Sequence, residues 1–154
     1  MIKYIKPYKT SKMTIQEIQE EIINEFKIFD NWMDKYNYLI KLGKDLPSID
    51  SKHKTEDNLI KGCQVKTWFH STFKEGKVFY DIDSNSIIIK GFIALLIRVL
   101  SGQKPEDIKN DDLCFIDKIG LRENFSPIRA NSLWKMVNQV KSDAALYGTK
   151  MSFI

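Results

Sequence analysis

The stretch Ile87–Leu100 limits the possible folds more than any other segment of this chain. It reads IIIKGFIALLIRVL, with Lys90 and Arg98 as its only charges. It is too short to span a bilayer, which takes about 20 apolar residues, so it must be covered by protein. Gly91–Leu100 reads as a nearly all-apolar helix closed by Ser101-Gly102, and a helix apolar on every side belongs in a core. Ile87–Ile89, directly after the turn residues Ser84-Asn85-Ser86, reads as a short strand feeding that helix.

The flanking segments supply what would cover it. Thr14 and Glu17 form a capping box, with Met13 placed to pack as its staple. Ile15, Ile18, Ile22, Phe26 and Phe29 then mark one buried helical face to about Asp30. Asp30 is the expected cap of a second helix bearing Trp32, Tyr36, Leu39 and Ile40, with Gly43 as its end. Residues 44–58 contain Pro47 and many charges but no apolar period, which predicts a long loop of the kind that often serves function. From Val65 to Phe73 the pattern alternates, Lys74-Glu75-Gly76-Lys77 has hairpin composition, and Val78–Asp83 is the return strand. Beyond the apolar helix, Pro105 opens a helical turn ending near Lys109, and Leu113–Ile119 makes another, stopped by Gly120. Ser126-Pro127 starts a last helix, serine as cap and proline at the first helical position, expected to end at Gly148. Helices, a hairpin sheet and helices again give an α+β domain with a small antiparallel sheet of about three strands. One domain over residues 14–154 is expected, preceded by a flexible basic extension over residues 1–13.

Charge and cysteine content exclude several function classes. The formal net charge is +4, but Lys3, Lys6, Lys9 and Lys12 supply four of the 24 basic residues before the first acidic residue, Glu17. The other 20 basic residues balance 20 acidic ones, so no basic stripe for nucleic acid remains. The amino-terminal residues lack the apolar stretch of a secretory signal. Two cysteines 51 positions apart make no disulfide framework, and a reducing cytoplasmic compartment with free thiols is expected.

Cys63, in Asn58-Leu59-Ile60-Lys61-Gly62-Cys63-Gln64, is the principal candidate for chemistry. Gly62 removes a side chain that would crowd the sulfur, and Lys61 places a cation nearby, which favours the nucleophilic thiolate. Against this, free cysteine is among the most buried residue types, and these neighbours alone favour a packed core thiol. The other soft ligands are His53, His70 and Cys114, and no close Cys-x-x-Cys pair exists. No metal site is expected. Nothing indicates that His70, on a half-exposed strand, or His53, in a solvated loop, activates Cys63 as a base. Cys114, between Leu113 and Phe115, reads as a core residue. Arg129 lies in the first turn of the last helix, where the helix dipole mildly disfavours a cation. It is either a solvated surface arginine or a group serving an anion or a partner. Asp83, at the end of the second strand, has turn chemistry as its default role.

These fragments, in this order and spacing, resemble the SufE-type sulfur acceptors of iron–sulfur cluster assembly. The resemblance runs from about Phe29 to Tyr147. It is carried by Trp32, Tyr36–Gly43, Leu46-Pro47, Asn58–Gln64, Trp68, Asp83–Ser86, Lys90-Gly91, Gly102–Ile108 and Leu121 through Ser126–Leu133. It implies a fold shared with cluster-assembly scaffolds of the NifU kind. It also implies a role: accepting sulfur on Cys63 from the persulfide of a SufS-type, pyridoxal-phosphate cysteine desulfurase, accelerating that enzyme, and passing the sulfur toward a downstream iron–sulfur scaffold. No cofactor of its own is implied, and the chain is expected to be monomeric or homodimeric. Gly62, Gln64, Asp83 and Arg129 fall where the family has its active loop, a nearby acidic residue and a partner-contacting arginine. The chain departs from the pattern at Val65, Asn85 and Ser132, the last at a frequent glycine position. A cluster scaffold, or a regulatory binding module with an inert Cys63, are the alternatives.

Overall fold

A computed structural model describes residues 13–152, with side chains to Thr149. The basic extension expected over 1–13 lies outside the described residues except for Met13. The order of elements is α1 (Ile15–Phe26), α2 (Trp32–Asp45), two 3-10 turns (Ser51–His53 and Glu56–Asn58), β1 (Thr67–Lys74), β2 (Lys77–Ser84), α3 (Ile87–Leu100), α4 (Pro105–Asn110), α5 (Phe115–Lys118), α6 (Leu121–Asn124) and α7 (Pro127–Ser152).

The apolar segment is the centre of the molecule. Helix α3 packs against α1, α2, α7 and β2, and Ile88, Ile89, Phe92, Ile93, Leu95, Leu96, Val99 and Leu100 are almost wholly buried. Its arginine escapes to the rim, where Arg98 grips Glu21 at 2.6 Å and also pairs with Glu25 of α1. Helices α2 and α3 approach so closely that only glycines fit. A Cβ on Gly91 would stand 2.3 Å from the Leu39 carbonyl oxygen, and one on Gly43 would stand 2.5 Å from that of Ile87. Gly43 is therefore a contact residue inside α2 rather than its stop, and the helix runs on to Asp45.

The sheet has two strands among the described residues, paired antiparallel from Thr67↔Ser84 to Lys74↔Lys77. Glu75 (φ 53°) and Gly76 (φ 79°) both adopt the left-handed conformation that a tight hairpin needs. The third strand expected over Ile87–Ile89 is instead the first turn of α3. Ser86 Oγ accepts the Ile89 amide at 3.3 Å and caps it, and a short apolar run has no period with which to distinguish strand from helix. Other boundaries shift for local reasons. The capping box of α1 forms, at 2.9 and 3.1 Å, but the helix stops at Phe26, where Ile28 and Phe29 turn back onto the carbonyls of Glu25 and Phe26. Asn31, not Asp30, caps α2, because its backbone is extended and its Oδ1 accepts the Asp34 amide at 2.9 Å. Leu113 has φ 53°. The helix expected there starts at Phe115, whose amide is received by the buried Gln19 of α1. Helix α7 passes through Gly148 to Ser152, since one interior glycine costs a helix only about 1 kcal/mol.

Candidate functional site

Cys63 sits in an excursion between two structured anchors. On one side, Leu59 bridges to Trp68 and the Ile60 amide donates to Thr67 O at 2.9 Å. On the other, the Asn85 amide donates to Lys66 O at 3.0 Å. Residues 61–66 between these ties lie against α7. Gly62 turns the chain with φ 84°, and its carbonyl accepts Asn131 Nδ2 at 3.0 Å. Lys135, one turn further along α7, lies over Gly62 so closely that a Cβ there would meet its Cε at 3.1 Å and Nζ at 3.2 Å. The sulfur of Cys63 is half-buried and packs on the edge of the core.

The chemistry of the thiol follows from what surrounds it. Burial raises the Cys63 pKa above its ordinary value, and this outweighs the neighbouring Ser132 hydroxyl and the charge of Lys135, which both favour the thiolate. The expected activating cation, Lys61, is exposed on the loop. The cation acting on the sulfur is Lys135, from a helix far along the sequence. Ser132 is 1% exposed, and its hydroxyl finds no hydrogen-bond partner among the described residues. Asn131, Ser132 and Lys135 share a helical face at spacings of one and four, so all three reach the same loop.

The other expected site residues are placed differently. Gln64 follows Cys63 on the loop and is exposed. Asp83 is buried (4% exposed) and acts as a tie. Its carboxylate accepts the amides of Ser84 at 2.8 Å and Ile49 at 3.5 Å and pairs with Lys90 at 3.6 Å. It thereby fixes the strand end next to the Lys66–Asn85 anchor. Arg129 engages Tyr36 of α2, with its guanidinium 5.5 Å from the ring centroid and 3.2 Å from the hydroxyl. It lies one turn before Ser132 on α7. Cys114 is half-exposed at the start of α5 and outside the core cluster, so it is not the packed core residue expected. His53 is not a solvated side chain either. Its ring stacks on His70 at 3.6 Å and bonds Asp81 at 2.9 Å.

Among the described residues, no three His, Cys, Asp or Glu side chains are grouped to hold a metal. A polar cleft of about 270 Å³ opens between Asn58, His70, Ser71 and the α7 residues Gln139, Asp143 and Tyr147. It lies about two turns beyond Ser132, and Cys63 does not line it.

A protein-family model described as SufE, the Fe-S metabolism associated domain, matches residues 20–144, which include the whole Cys63 loop and its α7 supports. The chain belongs to the SufE family. An uncharacterized SufE-like protein of Rhizobium meliloti (strain 1021) is 34% identical over 130 residues, covering 81% of this chain and 93% of that protein. The Arabidopsis thaliana SufE-like protein 1, chloroplastic/mitochondrial, is 34% identical over 126 residues, and this chain spans about a third of its length (34%). A hypothetical protein from Thermus thermophilus, known from a solution structure, superimposes with a TM-score of 0.70 over 86% of this chain and 96% of its own, at 21% identity. That likeness shows a shared fold. SufE membership assigns this protein to iron–sulfur metabolism. No helix among the described residues is long and apolar enough to cross a membrane.

Proposed function

We propose that this SufE-family protein is a sulfur acceptor that takes sulfur onto Cys63 from the persulfide of a partner cysteine desulfurase and hands it on for cluster assembly. The observation that carries this reading is a half-exposed thiol on a strapped loop, with a hydroxyl and an ammonium group facing it. In the transfer, the Cys63 thiolate attacks the terminal sulfur of the donor persulfide. A new S–S bond forms at Cys63, the donor S–S bond breaks, and the donor cysteine leaves as a thiolate. The pyridoxal phosphate that makes the donor persulfide belongs to the desulfurase. The setting in this reading is a reducing compartment such as the cytoplasm, where both thiols stay free.

Burial disfavours the thiolate of Cys63 in the free protein. Even an ordinary thiol is only a few per cent ionised at pH 7, so reaction waits for a partner that changes the surroundings of the sulfur. The test is to mix the protein with cysteine and a SufS-type desulfurase and map added sulfur by mass spectrometry. Sulfur should appear on Cys63, vanish in Cys63→Ser together with any stimulation of the desulfurase, and persist in Cys114→Ser. Sulfur on Cys114 alone, or on neither cysteine, would sink the reading.

A further inference from the structure

Ser132 poses a question that sulfur acceptance by a lone cysteine does not answer. A serine inside a helix ordinarily returns its hydroxyl to the carbonyl four residues back. Ser132 makes no such bond, although at 1% exposure it is shut off from solvent. A buried donor without a partner is costly and marks a place where a partner group belongs. The group beside it is the sulfur of Cys63. On the same face, Lys135 holds its ammonium against Gly62, and Asn131 fixes the Gly62 carbonyl at 3.0 Å. The loop is thus held on α7 with its sulfur next to one hydroxyl and one cation.

We propose that Ser132 and Lys135 form a holder for anionic sulfur on Cys63, the hydroxyl donating a hydrogen bond to it and the ammonium pairing with it. The assignment deepens the sulfur-acceptor reading and rests on it for the persulfide, whereas for the bare thiolate it does not depend on that reading. The persulfide is the better occupant. A persulfide is a stronger acid than the thiol it comes from, so more of it is ionised at the same half-buried position. Its terminal sulfur also extends about 2 Å beyond the cysteine sulfur. Ser132 and Lys135 are positioning residues here, since the sulfur alone changes its bonds. Among the described residues, Lys135 is the one charged group that acts on Cys63 from an opposing element. The loop's own Lys61 and Lys66 are exposed to solvent.

The test reads the rate of Cys63 alkylation by iodoacetamide against pH in the free protein, resolved from Cys114 by mass spectrometry. The variants are Ser132→Gly, Lys135→Gln and Lys135→Arg, with melting curves to verify that each is folded. Ser132→Gly and Lys135→Gln should each move the ionisation midpoint of Cys63 upward and slow alkylation at pH 7.5 about threefold, half a pKa unit. Lys135→Arg should restore most of the loss, which a purely structural lysine would not predict. Lys135 is exposed, so its variants fold even where Ser132→Gly does not. In a second arm, the persulfide is made on the free protein with polysulfide, and its own alkylation in mild acid should be slower in both weakened variants, because less of it is ionised. Coincident midpoints and equal persulfide alkylation in folded Lys135→Gln and wild type overturn the proposal. Shifted midpoints with no sulfur delivered by a desulfurase leave the holder standing and remove the sulfur-acceptor reading.

Discussion

Replacing Gly62 by alanine separates the conformation of the Cys63 loop from its contact with Lys135. At φ 84° an L-residue is in the left-handed region, where a Cβ costs about 1–2 kcal/mol. Part of that is offset because alanine also restricts the unfolded chain, by about 0.4–1 kcal/mol. The net loss is about 1 kcal/mol, or about 2–4 °C in melting temperature for a chain of this size. The new methyl also meets Lys135 Cε at 3.1 Å and Nζ at 3.2 Å. That contact is with the free end of a flexible side chain, so relief comes from swinging the ammonium away rather than from opening the fold. Gly76→Ala is the matching control. Its φ of 79° imposes the same conformational cost, and a Cβ there has nothing within 4 Å.

Both variants should therefore lose similar stability in thermal or urea unfolding, while only Gly62→Ala raises the pH at which Cys63 becomes reactive toward iodoacetamide. Gly62→Ala with an unchanged alkylation profile would refute the placement of Lys135 over the loop. A profile shifted equally by Gly76→Ala would show that general loosening, rather than this contact, governs the thiol.

Gly91→Ala pushes a methyl to 2.3 Å from the Leu39 carbonyl. This is backbone that cannot rotate away, so the loss should reach the top of the overpacking range, about 3 kcal/mol; a urea midpoint within error of wild type would contradict the close α2–α3 approach. His70 should make the fold sensitive to mild acid. Burial, then His53, hold its pKa below the ordinary value of 6.5, with Lys52 adding to them and Asp81 and Asp143 opposing. The unfolded chain therefore takes up the proton first, and stability falls as pH drops through the window just below about 6.5. Melting temperatures between pH 7.5 and 5.5 should decline less steeply in His70→Gln, and equal slopes would dismiss the effect.

Features written in local chemistry were legible in the sequence. The Thr14–Glu17 box, the Glu75-Gly76 turn and the Ser126-Pro127 helix start each depend on residues within four positions of one another, and each forms where expected. Features set by tertiary approach were not. Gly43 has the composition of a helix stop, but its role is to admit the α3 backbone, a fact held in Gly91 and Ile87 rather than in its own neighbours. Ile87–Ile89 has the β-branched composition of a strand, yet the Ser86 cap and the burial of most of α3 select the helix. At the site, the Cys63 loop was visible as a motif. Its chemical setting was not, because the rotation of α7 that turns Asn131, Ser132 and Lys135 toward residue 62 comes from packing over the whole length of that helix. The one available signal was Ser132 itself, a hydroxyl at a position where the resembling family often has glycine.

In the proposed sulfur-acceptor reading, the opposing influences on Cys63 have different consequences for taking up sulfur and for giving it away. When Cys63 attacks a donor persulfide, a thiol held protonated by burial is slow, and it is also guarded against oxidation, which follows thiolate character and exposure. When sulfur leaves Cys63 for the next acceptor, Cys63 is the leaving thiolate, and exchange is faster the more that thiolate is stabilised. Ser132 and Lys135 supply that stabilisation at the moment the charge returns to the cysteine sulfur. In that reading burial would restrain the uptake step until a partner docks, while the hydroxyl and the ammonium would favour the release step. Lys135→Gln should accordingly slow sulfur transfer from preformed Cys63 persulfide to a small thiol acceptor, with Lys135→Arg close to wild type. A Lys135→Gln protein that releases sulfur at the wild-type rate would mean that the ammonium has no part in the outgoing step.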